Sequence, residues 1–264
     1  MSPEDDRMLA MLSRLKLTAI RDQLDTLLDE VTRRELSMRD TLLFLLEAEV
    51  ARKDQRRLQM GLSIAKFPFA RTLDDFDFQA QPSVDKKQLT ELGTCRWVAN
   101  GDALLLLGPP GVGKTHLAVA LGRKAIEHGY SVLFTPVTHM VASLAKAHNE
   151  GRLDDKLMHF SKPKLLILDE LGYLPFERNA AHLLFQLVAR RYERGSILLT
   201  SNRSVSEWGA VFDDVVLATA ILDRLLHHSH VITIRGDSYR LRQKRKSGLI
   251  RSTSTNRGDQ IPVS

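Results

Sequence analysis

Residues 108–115 read Gly-Pro-Pro-Gly-Val-Gly-Lys-Thr, directly after the apolar run Ala-Leu-Leu-Leu-Leu at 103–107. Every fixed position of the pattern G-x-x-x-x-G-K-[ST] is filled. The glycines permit backbone conformations that turn successive N–H groups toward one point, and the helical pattern that follows adds the positive end of its dipole there. A chance glycine turn before a helix would not also place a strand ahead of it. The stretch therefore predicts a loop that binds the phosphates of a nucleoside triphosphate.

Two side chains at the end of this loop have separate predicted tasks. Lys114 can reach the outer phosphates, and the hydroxyl of Thr115 can bind a magnesium ion. The predicted nucleotide contacts are the eight residues of the loop, Gly108, Pro109, Pro110, Gly111, Val112, Gly113, Lys114 and Thr115.

The composition is that of an ordinary globular chain. Its 264 residues, with 43% hydrophobic content, suffice for one substantial domain and a smaller appendage. The net charge of +6 suits a polyanionic partner. The single cysteine, Cys95, can form no internal disulfide and no metal site, and we expect an inert buried thiol in a reducing compartment. Because no apolar run is long enough for a membrane span and no signal-peptide pattern begins the chain, we expect a cytoplasmic protein without membrane contact.

The sequence divides into three regions. From residue 7 to about 65 leucines recur at helical spacing, with no glycine before Gly61. Lys66-Phe67-Pro68 ends this pattern, because the residue before a proline disfavours helix. We predict an N-terminal helical module at 1–68, a nucleotide-binding domain at 69–248 and a polar, disordered tail at 249–264.

Beyond residue 68, strand and helix patterns alternate. Strands are predicted at 103–107, 131–135, 165–168, 197–201 and 231–234. Helices are predicted at 85–99, 114–128, 137–149, 179–194 and 215–228. Apolar strands without polar alternation are buried on both faces, and intervening helices imply right-handed crossovers. The predicted fold is therefore an α/β domain with a parallel sheet.

An acid pair follows the third predicted strand. The apolar run 165–168 ends in Asp169 and Glu170, at the edge where a parallel sheet binds its ligand. Asp169 is predicted to hold magnesium, directly or through water, and Glu170 to polarise a water that attacks the γ-phosphate. A solvent-facing acid pair is the alternative. The position about fifty residues after the phosphate loop, with one strand between, favours the catalytic interpretation.

Two further polar residues stand in apolar surroundings. Asn202 follows the strand pattern at 197–201 and could contact the γ-phosphate or orient the attacking water; alternatively it is a turn or capping residue. Arg224 lies on an otherwise apolar helix face, where a buried cation needs a partner. We predict that it reaches a neighbouring subunit's γ-phosphate as an arginine finger, with a structural Arg–Asp pair as the alternative. The predicted catalytic residues are thus Glu170, Asn202 and Arg224.

These four features in this order resemble the AAA+ ATPases, and longer strings of the chain look like the IstB family. The strings lie at 76–78, 107–118, 168–176, 200–202, 222–230 and 238–244. Gly-Tyr-Leu-Pro-Phe at 172–176 and His-His-Ser-His at 227–230 are far more specific than the phosphate loop. The resemblance covers roughly residues 9–248 and extends to the DnaC helicase loaders of the initiator branch.

The resemblance implies an ATPase that binds ATP with Mg²⁺ and helps a transposase encoded beside it in an insertion sequence. It also implies ATP-dependent self-association on double-stranded DNA, which the assembly would present to the transposase in a deformed state. A DnaC-like replicative helicase loader is the alternative function, and a nucleotide-dependent switch without DNA activity is a third.

One departure from AAA+ anatomy concerns the C-terminal helical lid. After residue 234 only 30 of the 264 residues remain, too few for the full lid. The position of a second sensor arginine is left open between Arg240 and Arg242.

Basic clusters are candidates for DNA contacts. One lies at helical spacing near residue 55, a second lies in a run without acids between residues 238 and 258, and Lys86-Lys87 form a third. Each alone is typical of a solvated face, but together with the resemblance they favour salt-sensitive phosphate contacts without sequence preference. The predicted DNA contacts are Arg52, Lys53, Arg56, Arg57, Arg240, Arg242, Lys244, Arg245 and Lys246. The region 136–160 lines the DNA path, as the resemblance implies, or is an ordinary crossover helix.

The histidines and two phenylalanines are open to more than one interpretation. His227, His228 and His230 have no cysteine or paired acid at metal spacing, so a role at a helix C-terminus is preferred to a metal site. Phe76 and Phe78 wall the adenine pocket, as the resemblance suggests, or cap the core.

Overall fold

The computed structural model describes residues 3–173 and 178–239. The chain divides into two compact units, Met1–Ser63 and Ile64–Ser264. The three-region division of the sequence stays a prediction, and its tail at 249–264 lies outside the described residues.

The N-terminal region consists of helices. These are α1 (Pro3–Arg14), α2 (Thr18–Asp22), α3 (Leu24–Arg33) and α4 (Met38–Ala65). Within the region of continuous helical pattern, left-handed residues at Lys16 (φ 57°) and Glu35 (φ 50°) separate α1 from α2 and α3 from α4. The buried carboxylate of Glu49 accepts hydrogen bonds from the N–H groups of Ala19 and Ile20, and it thereby satisfies the first turn of α2.

The end of α4 agrees with the sequence pattern. Its last residue is Ala65, and Lys66 has a left-handed φ of 58°. A left-handed residue commonly terminates a helix, and Pro68 prevents its resumption.

A five-stranded parallel sheet forms the centre of the second unit, as predicted. Its strands are β1 (Ala103–Leu107), β2 (Val132–Pro136), β3 (Leu165–Leu171), β4 (Ser196–Ser201) and β5 (Ser229–Thr233). The order is β2-β3-β4-β1-β5, and every neighbouring pair is parallel. All residues of β1 and β4 are buried, which explains the absence of polar alternation in the sequence. The carboxyl ends of β1, β4 and β3 therefore lie side by side.

Two helices precede β1, and further helices connect the strands. They are α5 (Lys86–Leu92), α6 (Arg96–Asn100), α7 (Lys114–Glu127), α8 (Val137–Asn149), α9 (Leu153–Ser161), α10 (Arg178–Arg191), α11 (Trp208–Phe212) and α12 (Val215–His227). The single helix predicted at 85–99 is wrong, because Cys95 is left-handed (φ 59°) and separates α5 from α6. The short helices α9 and α11 have no counterpart among the predicted helices. The region 136–160 holds both α8 and α9.

The environment of Cys95 agrees with an inert thiol. The side chain is 1% exposed, and burial raises the pKa of the thiol to about 11. Among the described residues, no helix combines the length and the apolar character that crossing a membrane requires.

Candidate nucleotide-binding site

The phosphate loop lies between the carboxyl end of β1 and the start of α7. Gly108, Gly111 and Gly113 have φ values of 151°, 81° and 106°. A Cβ atom at Gly108 would lie 2.2 Å from the carbonyl oxygen of Ile234, and one at Gly111 would lie 2.2 Å from Oγ of Ser238. At these two positions both the conformation and the available space require glycine.

Lys114 is the first residue of α7, and its side chain folds back over the loop. Its Nζ donates hydrogen bonds to the carbonyl oxygens of Gly108 (2.7 Å) and Pro109 (2.8 Å). Burial lowers the pKa of Lys114, while the charges of Asp169 and Glu170 act in the opposite direction. The hydrogen-bond partners of the ammonium group are thus uncharged carbonyls. Phosphate oxygens would replace them with stronger, charge-assisted hydrogen bonds.

Asp169 lies in β3 and is only 5% exposed. Its carboxylate accepts hydrogen bonds from the hydroxyls of Thr115 (3.0 Å) and Thr200 (2.6 Å). Burial raises the pKa of Asp169, and the two hydroxyls offset part of this effect. Hydroxyl and carboxylate oxygens are ligands that Mg²⁺ accepts. Thr115 and Asp169, which the sequence predicts as magnesium ligands, are therefore brought together.

Glu170 differs from its neighbour in exposure and in backbone conformation. It is exposed where Asp169 is buried, and its φ of 65° is left-handed. Its N–H group donates to Oγ1 of Thr200 (2.9 Å), and the pairing of β3 with β4 is irregular between Leu168 and Leu171. Such irregularities re-aim side chains, and left-handed non-glycine residues concentrate at functional sites. The Glu170 carboxylate is therefore open to a water molecule at this edge of the sheet.

Thr200 is a residue of this site that the sequence interpretation missed. It is fully buried in β4, and its hydroxyl connects the carboxylate of Asp169 to the backbone of Glu170. The signal was a hydroxyl at the end of an apolar strand, because a buried hydroxyl requires a partner.

Asn202 directly follows β4 and is half-buried. Within the described residues, its side-chain oxygen has no hydrogen-bond partner. That oxygen lies 3.5 Å from the position of a Cβ atom on Gly172, so it faces the turn after β3. An asparagine that caps a turn uses this oxygen. This oxygen therefore does not act as a cap within the described residues; it is buried against the turn, and its contact with a ligand or water stays a prediction.

Arg224 lies at the opposite end of the strands from the phosphate loop. We call the end where the strands begin the amino edge of the sheet, and the end where they finish the carboxyl edge. It lines a cavity with residues from the amino ends of β1 and β4, including Ala103 and Ile197. Its guanidinium group lies 4.8 Å from the centre of the Phe185 ring, and Nη1 donates to the carbonyl oxygen of Ala220 (3.0 Å). A strand of five residues is about 16 Å long, so Arg224 cannot reach the phosphate loop of its own chain. Its partners in the described part of the chain are a ring and a carbonyl rather than the aspartate of the alternative interpretation.

The segment after β5 packs on the phosphate loop, which the sequence interpretation did not anticipate. The N–H group of Ile234 donates to the carbonyl oxygen of Leu107 (2.7 Å), and that of Tyr239 to the carbonyl oxygen of Gly111 (2.9 Å). The question of the lid and of a second sensor arginine lies outside the described residues. So do the predicted DNA contacts Arg240, Arg242, Lys244, Arg245 and Lys246.

The basic cluster on α4 has partners within its own unit. Arg52 pairs with Asp22 (3.1 Å), Lys53 with Glu49 (3.5 Å) and Arg57 with Asp54 (3.3 Å). Arg56 donates to the hydroxyl of Thr18 (2.9 Å). Three of the four charges are therefore partly neutralised, which reduces the attraction of this surface for phosphates.

Phe76 packs behind the phosphate loop. It is 7% exposed, and its ring meets Phe78 and His116 edge to face at centroid distances of 5.1 and 5.3 Å. A ring atom of Phe76 lies 2.8 Å from the position that a Cβ atom on Gly113 would take. This contact fits a residue that supports the loop from the core.

The histidines near residue 228 lie at the end of α12 and beside an acidic residue. His227 is the last residue of α12, as the helix C-terminal role requires. No cysteine or paired acid stands at metal spacing in the sequence, but the fold brings one acid, Glu193, beside His227 and His228. Glu193 is more than thirty residues earlier in the chain, so local spacing did not reveal it.

Fold and site together define the class of this protein. A parallel sheet in the order β2-β3-β4-β1-β5, with a glycine-rich loop after β1 and a buried aspartate at the end of β3, is the core of an AAA+ protein of the P-loop type. The fold is similar to that of the DnaC helicase loader, with a TM-score of 0.50 and 22% identity over 56% of this chain and 87% of that chain. It is also similar to AMPPCP-bound DnaA from Aquifex aeolicus, with a TM-score of 0.51 and 20% identity over 71% of this chain and 59% of that chain.

The sequence comparisons identify the family. Residues 10–247 match the model of the IstB-like ATP binding proteins, and the chain belongs to that family. It is 47% identical over 253 residues to the insertion sequence IS21 putative ATP-binding protein of Pseudomonas aeruginosa, which covers 96% of each chain. It is 46% identical over 232 residues to the IS5376 putative ATP-binding protein of Geobacillus stearothermophilus, over 88% of this chain and 92% of that relative.

Proposed function

We propose that this chain is an ATP-hydrolysing helper of transposition, which assembles on double-stranded DNA and deforms it for a partner transposase. Relatives that match nearly its whole length are named as ATP-binding proteins of insertion sequences, and this supports the biological setting.

The placement of Arg224 is the observation that carries the proposal. The groups that suit a nucleotide and its magnesium ion, Lys114, Thr115 and Asp169, lie at the carboxyl edge of the sheet. Arg224 lies at the amino edge, where its cation rests on a ring. An arginine in this place can act on a γ-phosphate only in a second copy of the chain. ATP then links neighbouring protomers, because one supplies the loop and the other the arginine.

Within each site we assign separate tasks to the side chains. The loop and Lys114 bind the phosphates, and Thr115 with Asp169 binds Mg²⁺. Glu170 polarises the attacking water, and Asn202 orients it or contacts the γ-phosphate. Hydrolysis removes the γ-phosphate that Arg224 of the neighbour holds, and it thereby releases the assembly from DNA.

DNA binding in this proposal depends on the phosphate backbone. The chain has a net charge of +6. Its sequence shows neither the ligand spacing of a zinc finger nor a legible helix-turn-helix, the motifs with which many proteins recognise DNA bases. Because the cluster on α4 is partly neutralised within its unit, we assign the larger share to the acid-free run that begins after residue 238. Binding should weaken steeply with salt and depend little on sequence.

Particle size is the direct test of this function. The full chain should form an oligomer in the presence of ATP, Mg²⁺ and duplex DNA, as measured by light scattering. The variant Glu170→Gln should keep the DNA-bound oligomer for longer, because it binds ATP but hydrolyses it slowly. A chain that remains monomeric with nucleotide and duplex at saturation contradicts the proposal.

A replicative helicase loader is the second candidate, since the fold is similar to that of the DnaC helicase loader. That similarity concerns the fold alone. Retention of purified transposase, but not of a replicative helicase, on the immobilised full chain would support the first function, and the reverse result the second.

A further inference from the structure

Three possible metal ligands meet at the amino edge of the sheet, away from the nucleotide site. They are Glu193, His227 and His228, and one ligand atom from each lies within 4.8 Å of the others. The backbone carbonyl oxygen of His228 also accepts a hydrogen bond from the N–H group of Ala103, the first residue of β1 (2.8 Å). The phosphate loop lies at the other end of β1, so these ligands are separate from the predicted magnesium ligands.

The fold explains how two consecutive histidines come to face one point. On a regular helix, neighbouring side chains diverge by about 100°. His227 is the last helical residue of α12, and His228 is extended (φ −127°, ψ 92°), so the chain turns between them. The centres of the two rings are 4.1 Å apart. Glu193 follows α10 with a left-handed φ of 56° and is the third member of the group.

A neighbouring tyrosine holds one of the rings. The hydroxyl of Tyr192 is hydrogen-bonded to Nδ1 of His227 at 2.7 Å. With Nδ1 engaged, Nε2 of His227 remains for a ligand. Metal-binding histidines usually have such a partner on the second nitrogen, because it fixes the ring orientation.

We propose that Glu193, His227 and His228 bind a divalent transition metal of the zinc type. Two imidazoles and one carboxylate with a water in the fourth position form a donor set that suits Zn²⁺. Ligands at about 2.1 Å from the ion are roughly 3.4 Å apart in a tetrahedron, so ligand atoms that lie within 4.8 Å of one another must approach by up to about 1.4 Å. All three are exposed, and rotation of their side chains permits this closure.

The positively charged side chains around this group are directed away from the proposed metal position. Two arginines line the same cavity as Glu193 and His228. The guanidinium group of Arg224 is directed to the ring of Phe185, and that of Arg191 donates its hydrogen bonds to backbone carbonyls. The bound metal would join the end of α10 to the end of α12, one turn after Arg224. It would thereby fix the part of α12 that carries this arginine.

Metal binding by the tag-free full chain tests the proposal without nucleotide or activity. The chelator-treated chain is titrated with Co²⁺, whose visible absorption reports the ligand geometry, and bound Zn²⁺ is measured by equilibrium dialysis. We expect one equivalent to bind, with Zn²⁺ displacing Co²⁺. Glu193→Gln and His228→Ala should each weaken binding at least about tenfold.

Two control variants separate this group from other ligands. His182→Ala removes an exposed histidine of α10 outside the group, and Asp169→Asn removes the predicted magnesium ligand; both should bind Co²⁺ as the unchanged chain does. Circular dichroism confirms that each variant is folded. The proposal is wrong if the chain binds no stoichiometric metal, or if Glu193→Gln and His228→Ala bind it as tightly as His182→Ala.

Discussion

The two edges of the sheet both hold buried charges, but they differ in how these charges are bonded. At the amino edge, Arg191 is 1% exposed and donates five hydrogen bonds to backbone carbonyls, four of them in residues 160–164 and one at Ser196. At the carboxyl edge, Lys114 has two carbonyl partners and Asp169 has two hydroxyl partners. Nearly all hydrogen-bond donors of Arg191 are thus used within the chain. The groups around the phosphate loop, in contrast, can still form hydrogen bonds with a ligand.

The same comparison separates two arginines of one edge. Burial lowers the pKa of Arg191 to about 10, and the group remains a cation at neutral pH with its hydrogen bonds inside the chain. Arg224 has one carbonyl and one aromatic ring as partners. In our proposal Arg191 therefore stabilises the fold, and Arg224 acts on a neighbouring protomer.

The largest effect on stability is expected from the loss of Arg191. Arg191→Ala removes the five hydrogen bonds that this guanidinium group donates to backbone carbonyls, and it should lower the free energy of unfolding by about 4 kcal/mol. Thermal unfolding measures this loss. The control is Arg190→Ala, whose side chain pairs with the exposed Asp154 and should cost less than about 1 kcal/mol. Equal losses in the two variants would contradict the structural role of Arg191.

The next effect concerns binding rather than stability. Lys114→Ala should weaken ATP binding at least about 100-fold, because the charge-assisted bonds to the outer phosphates are lost. The thermal midpoint without nucleotide should change little, since a buried cation with neutral partners is removed. Lys124→Ala on the same helix removes an exposed lysine that pairs with Glu127, and it should bind ATP normally. A titration with a fluorescent ATP analogue distinguishes the variants.

Glu170→Gln tests whether the exposed acid of the pair differs from the buried one. Hydrolysis should fall by about 100-fold, while ATP affinity remains within about twofold, because only the activation of water is removed. Phosphate release under saturating ATP gives the rate. Glu150→Gln changes another exposed carboxylate, at the end of α8, and should hydrolyse ATP as the unchanged chain does. Unchanged turnover in Glu170→Gln would remove the role assigned to this residue.

The smallest effect is a gain in stability at the carboxyl edge. Burial raises the folded-state pKa of Asp169 above the ordinary value of 3.8. Ionisation of the carboxylate therefore disfavours folding as the pH rises above that ordinary value, and fully so above the folded-state pKa. Asp169→Asn should therefore raise the thermal midpoint by a few degrees at neutral pH. The gain should disappear as the pH falls through both pKa values. Mg²⁺-dependent ATP binding should be lost in the same variant, and a lower midpoint at neutral pH would contradict this reasoning.

Much of the sheet and its carboxyl edge could be predicted because the signals are local. The five apolar residues before the glycine-rich loop predicted the bounds of β1. The two acids after the apolar run at 165–168 predicted the edge of the sheet at which magnesium binds. The residues that escaped prediction depend on contacts between distant segments. Thr200 joins the site through β3, Tyr239 reaches Gly111 from beyond β5, and Glu193 meets the histidines across more than thirty residues.

Local conformation explains the break in the helix predicted at 85–99. Cys95 adopts a left-handed conformation, which a pattern of apolar residues does not encode, and the helix predicted at 85–99 is therefore interrupted.

Mixing two inactive variants tests the central claim, that one chain supplies the loop and another the arginine. Lys114→Ala lacks the phosphate-binding cation and Arg224→Ala lacks the proposed finger, so neither should hydrolyse ATP alone. In an equal mixture about a quarter of the interfaces pair an intact loop with an intact arginine, and hydrolysis should return to a corresponding fraction of the normal rate. A mixture that stays as inactive as its components would contradict a site shared between protomers.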